Sequence, residues 1–193
     1  SHLNPYQVSS FLDAFNQQKI DYEYFDGYDL KEKLNSEVLI EEATSKIFKD
    51  DLVILALGLP DEYESEGFDR DHMKLPEAQN RLVEEISKKT DHVIVVLFGG
   101  APVEIPWIDK TKALLNMYLP GQAGGDAVFD LLYGTVNPSG KLPETYPIRY
   151  EDCISSSYYG LQRANVEYRE GIYVGYRYYD KIGKEVRFPF GFG

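Results

Sequence analysis

Leu52-Val-Ile-Leu-Ala-Leu-Gly-Leu59, and the loop Glu64-Ser-Glu-Gly-Phe-Asp-Arg70 that comes after it, decide how this chain is read. The first stretch is apolar without alternation, so it reads as a strand covered on both faces, the habit of a parallel sheet. The second crowds carboxylates beyond the strand's carboxyl end, where open α/β sheets place reactive groups. Two glutamates two residues apart beside Gly67 repel each other unless solvent or a task holds them there. Glu64 and Glu66 are therefore the candidates for proton-transfer chemistry. The plain alternative is a solvated acidic loop.

On either side of this stretch, helix and strand patterns alternate, as they do where helices cover a mostly parallel sheet. Asn4 and Pro5 read as an N-cap and first helical residue, with Val8, Phe11, Leu12 and Phe15 forming one apolar stripe. Asp21–Tyr28 reads as a short aromatic strand. Asn35 or Ser36 caps a second helix carrying Val38, Ala43, Ile47 and Phe48. Pro76 to Lys89 reads as a helix with Leu82, Val83 and Ile86 inward. His92–Phe98 and Leu114–Leu119 repeat the buried-strand pattern, and a helix from about Ala123 to Leu132 stops at Gly134. Asn137-Pro-Ser-Gly140 is a turn signal.

From Glu151 the texture changes to tyrosine-rich segments without helical period, closing on a short strand near Val186–Phe188. The expected fold is α/β: one domain over residues 1–193, a three-layer αβα sandwich around a mostly parallel sheet, with an irregular Tyr-rich C-terminal excursion.

Composition narrows the function. With 32 acidic against 20 basic residues the net charge is −12. Nucleic acid and anionic membrane surfaces would repel such a chain. No apolar run approaches the roughly 20 residues of a membrane span. The 16 tyrosines suit sugars and protein partners, or simply line a core edge. Cys153 is the only cysteine, which leaves neither an internal disulfide nor a thiolate metal cluster. That fits a cytoplasmic home and does not exclude a secreted one.

Other chemistry is poorly supported. Gly99-Gly-Ala101 and Gly121-Gln-Ala-Gly-Gly125 sit where a phosphate loop would sit, but neither has a nucleotide-binding spacing. His2, His72 and His92 lack ligand spacing, so neither a metal nor a cofactor is expected. No Gly-x-Ser-x-Gly elbow occurs. Asp126 and Asp130 share one helix face as solvated residues do. In the acidic loop, an acid that protonates a leaving oxygen needs partial burial or neighbouring negative charge. Asp61, Glu62, Asp69 and Asp71 supply charge, and Arg70 opposes it.

The loop Glu64–Arg70 resembles the segment of glycoside hydrolase family 3 enzymes that carries the catalytic acid/base. Leu119-Pro-Gly-Gln-Ala-Gly-Gly-Asp-Ala127 and Leu132-Tyr-Gly-Thr-Val-Asn-Pro-Ser-Gly-Lys-Leu-Pro-Glu-Thr-Tyr-Pro147 resemble that family's second domain almost without a gap. Gly171-Ile-Tyr-Val-Gly-Tyr-Arg-Tyr-Tyr-Asp180 and Phe188-Pro-Phe-Gly-Phe-Gly193 match two further family stretches. By position, the resemblance makes Glu66 the general acid/base and Glu64 a flanking residue. It implies a retaining β-glycosidase, a β-glucosidase or relative acting on a β-glucoside or related oligosaccharide. Retention needs a second carboxylate roughly 5–5.5 Å from the first.

In the family that nucleophile is an aspartate of a (β/α)₈ barrel domain, in a Ser-Asp-Trp-like motif. No such motif occurs here, and the one tryptophan, Trp107, lies in Ile105-Pro-Trp-Ile108. The resemblance therefore implies a domain that is inactive alone and partnered by the missing barrel. Both ends read as cut, and an absent first strand would leave a sheet edge open to a homo-oligomer. The competing readings are a non-catalytic carbohydrate-binding or structural module, and a flavodoxin-like nucleotide-binding domain.

Overall fold

A computed structural model describes residues 5–30, 35–161 and 164–193. The chain divides into two compact units: residues 1–70, 75–101 and 107–137 form the first, and residues 71–74, 102–106 and 138–193 the second.

The first unit is an α/β layer structure. Three strands, β1 (Val53–Gly58), β2 (Val93–Phe98) and β3 (Ala113–Tyr118), pair in that order and all run parallel. Four helices accompany them: α1 (Phe11–Gln17), α2 (Ser36–Ser45), α3 (Glu77–Ser87) and α4 (Gly124–Leu132). Helix α1 packs on α4, and α2 on α3. β2 is the central strand, and Val93, Val95, Val96 and Leu97 are buried in it. Leu82, Val83 and Ile86 of α3 are buried as the sequence pattern expects. Trp107 is also core: its indole nitrogen donates to Asn80 Oδ1 at 2.8 Å.

Several local expectations are corrected. Helix α1 starts at Phe11, not near Pro5, because Ser10 and Asp13 form a reciprocal capping box. Asn4 lies outside the described residues, and Val8 is exposed. In α2, Asn35 is the N-cap, but Ile40 and Ala43 form the buried face while Val38 and Phe48 are exposed. Asp21–Tyr28 joins no strand ladder. Its Tyr28 hydroxyl instead donates to the Ala56 carbonyl at 2.8 Å, and burial pushes that phenol up to about 12. β1 is not covered throughout, since Ala56 is exposed in mid-strand. α4 stops at Gly134 as expected, with a φ of 72°, whereas no turn is assigned at Asn137–Gly140.

The second unit is mostly irregular, as expected from Glu151 onward, apart from a 3₁₀ turn at Tyr150–Asp152 and a helix. The Tyr-rich segment contains a short helix, α5 (Tyr176–Ile182), ended by Gly183 in the left-handed region. The expected terminal strand is reduced to a single antiparallel bridge between Tyr146 and Phe188. Asp152, 5% exposed, binds Lys184 Nζ at 2.8 Å and Arg149 Nε at 3.3 Å. Burial pushes its carboxyl up, but the two cations prevail and hold it below the usual carboxylate range. Leu161, Val166, Tyr168 and Ile172 lie exposed in this unit.

Candidate functional site

The acidic loop leaves β1 at Gly58 and is tied to the sheet at once. The Leu59 N–H donates to the Phe98 carbonyl at 3.2 Å. Two turns follow, with the Tyr63 N–H on the Pro60 carbonyl at 2.8 Å and the Glu64 N–H on the Asp61 carbonyl at 3.2 Å. The Ser65 hydroxyl donates to the same Asp61 carbonyl at 2.6 Å.

Glu64 and Glu66 are placed differently. Glu64 is half-buried, and both of its carboxylate oxygens accept from the Gly100 N–H at 2.9 Å. Gly99, one residue earlier, donates its N–H to the Tyr118 carbonyl of β3 at 3.1 Å. Glu64 thus fastens the loop to the carboxyl end of the central strand by a charge-assisted hydrogen bond. Glu66 stands exposed in the next turn, closed by the Phe68 N–H on the Ser65 carbonyl at 3.3 Å. Gly67 has a φ of 87°, the left-handed geometry that a third turn residue takes and glycine tolerates. Among the described residues, no hydrogen bond or ion pair engages the Glu66 carboxylate. It is available to an incoming group.

The role of Glu64 was not visible in the sequence, since Gly100 lies 36 residues away. Asp69 and Asp71 are exposed and Arg70 is half-buried.

The glycine loop before α4 has a packing explanation. A Cβ on Gly125 would sit 2.2 Å from the Ser10 carbonyl oxygen, so only glycine fits there. The Asp126 N–H donates to Ser9 Oγ at 3.3 Å, and the Gly125 N–H to the Ser9 carbonyl at 3.1 Å. The helix end where a phosphate would bind is filled by the chain's own serine. Among the described residues, no group of three or more His, Cys, Asp or Glu side chains gathers as metal ligands.

Comparison with known proteins decides the family. Residues 2–176 match the model of the Glycosyl hydrolase family 3 C-terminal domain. The chain belongs to glycoside hydrolase family 3. This family 3 domain is 46% identical over its whole length to the thermostable beta-glucosidase B of Acetivibrio thermocellus, covering 26% of that protein. It is 38% identical over its whole length to an exo-alpha-(1->6)-L-arabinopyranosidase of Bifidobacterium longum, again covering 26%. The GH3 beta-glucosidase of Bifidobacterium adolescentis superposes with a TM-score of 0.94 at 38% identity, over 100% of this chain and 29% of that one. The chain spans about a quarter of the length of the curated relatives it matches. The family and the α/β fold expected from the sequence are both found.

Proposed function

We propose that this domain supplies the general acid/base of a retaining β-glycosidase, with Glu66 as that group. The observation that carries the reading is the exposed, unengaged Glu66 carboxylate at a turn tip beyond the carboxyl end of β1. In the parent enzyme an aspartate of the barrel domain attacks the anomeric carbon while Glu66 protonates the departing oxygen. Glu66 then takes a proton from the water that releases the sugar. Without the nucleophile there is no covalent intermediate, so the 193-residue chain alone is inactive.

The substrate is a β-glucoside or related glycoside. One relative of comparable similarity is an arabinopyranosidase, so the preferred sugar is set largely outside this domain. The barrel is the main partner. The exposed Leu161, Val166, Tyr168 and Ile172 of the second unit fit a chain with neighbours to cover them.

We also propose that residues 1–193 are one domain, with a sheet able to take a further strand beside β1. Among the described residues β1 is an edge of the three-stranded sheet, and its Ala56 is exposed. Left open, such an edge invites pairing with a second copy.

Two measurements test this reading. The purified chain should release no nitrophenol from an aryl β-glucoside above the buffer rate, and appreciable turnover would overturn it. In the parent, Glu66→Gln should slow substrates with poor leaving groups by about 10²–10⁴-fold. Activated aryl glycosides should lose less in their first step, and azide should restore part of the second. An equal loss for all leaving groups, without azide rescue, would remove Glu66 from the role.

A further inference from the structure

Glu64 has a hydrogen-bonding arrangement that a solvated loop residue does not need. Its carboxylate crosses from the β1 loop to the β2 loop and receives the Gly100 N–H on both oxygens at 2.9 Å. The approach is close along the whole edge: a Cβ on Gly100 would lie 3.6 Å from Glu64 Oε1, and one on Gly99 3.8 Å away. Gly99 is buried and bonded to Tyr118. Gly100 therefore offers its N–H from a backbone already fixed by the central and third strands.

Glu66 follows two residues later. Two residues of extended chain span at most about 7 Å, so an anchor at Glu64 restricts how far the turn tip can swing. At this tip only the Phe68-to-Ser65 hydrogen bond closes the turn. Ser65 is tied within the loop, to Asp61, and not to the sheet. An ordinary loop glutamate would be replaceable by many polar residues. A carboxylate chelating one backbone N–H is not, because a neutral amide gives up the charge-assisted bond.

We infer that Glu64 is a positioning residue for the reaction: it holds the Glu66 turn at a fixed height above the sheet through the Gly100 N–H. This rests on the reading of Glu66 as acid/base. A displacement of about 1 Å of a catalytic group costs up to about 10²-fold in rate. Loss of the Glu64 anchor should therefore lower kcat rather than raise KM, because sugar binding falls to other residues.

The experiment has two arms. In the parent enzyme, Glu64→Ala, Glu64→Gln, Glu64→Asp, Glu66→Ala and the double variant Glu64→Ala/Glu66→Ala are compared on aryl glucosides of graded leaving-group pKa. Glu64→Ala is expected to lower kcat by about 10–10²-fold for poor leaving groups with KM changed less than about threefold. Glu64→Asp should recover more activity than Glu64→Gln, which is nearer in size but uncharged. In the double variant, removing Glu64 should cost less than about twofold beyond Glu66→Ala, because the anchor then has nothing left to position.

Additive losses would overturn the positioning role while leaving Glu66 in place. A leaving-group-dependent, azide-rescued loss from Glu64→Ala but not from Glu66→Ala would overturn both assignments. The second arm uses the 193-residue chain and reads no activity. The Gly100 amide should exchange slowly with solvent, and Glu64→Ala should speed that exchange by about tenfold. A Gly100 amide that exchanges equally fast in both proteins would show that the anchor is absent in solution and would overturn the inference.

Discussion

The acidic loop has a bound base and a free tip, and they differ more than their sequences do. From Leu59 to Ser65 each turn is fastened, ending with the Glu64 carboxylate on the Gly100 N–H. From Glu66 to Asp69 every residue is exposed. Two glutamates separated by one serine thus have opposite surroundings. What separates them is the backbone across the way, since Gly100 presents an N–H to one and not to the other. A carboxylate that completes a scaffold and one left open for chemistry are alike in composition, so only the neighbouring strand end tells them apart.

The comparison can be broken where the base meets the sheet. Leu57, 1% exposed, immediately precedes Gly58, where the loop leaves β1. Leu57→Ala should destabilise the chain by about 2–5 kcal/mol, through lost burial and the cavity it leaves. Urea unfolding of the two proteins measures this, and a loss under about 1 kcal/mol would mean that the root is not part of the cooperative core. The tip should respond less. Gly67→Ala meets open space around the new Cβ, so its effect is the backbone penalty at a φ of 87°, about 1–2 kcal/mol. If thermal unfolding reports almost no change, the turn relaxes into a form that alanine accepts, and the tip is looser than its geometry implies.

Much of this was legible in the residues. β2 and the buried face of α3 follow from an apolar run and from helical spacing. What escaped the sequence depends on partners distant along the chain. Glu64 needs Gly100, and Gly125 needs Ser10. α1 begins at Phe11 because Ser10 and Asp13 form the cap, although the apolar stripe already extends back to Val8. The apolar run of β1 matches that of β2, yet Ala56 is exposed, because composition records how apolar a strand is and not how many neighbours it has. In the second unit, α5 is hidden by tyrosines that carry no helical stripe and is recognisable only by the left-handed Gly183 that ends it.

The smallest expected effect is the most discriminating about the tip's surroundings. Phe68 is 75% exposed, an aromatic ring held in solvent beside the proposed acid/base. In the 193-residue chain, Phe68→Ser removes little buried surface, so stability should change by no more than about 0.5 kcal/mol. In the proposed arrangement the tip faces the barrel domain, and burying a phenyl ring there contributes about 1.5–3 kcal/mol. The same substitution should then destabilise the parent by an amount of that order while leaving the chain unchanged. The difference between the two values measures how far the neighbouring domain closes over the Glu66 turn. Equal values would leave the ring in water in the whole enzyme too, and would show that no neighbouring domain closes over the Glu66 turn.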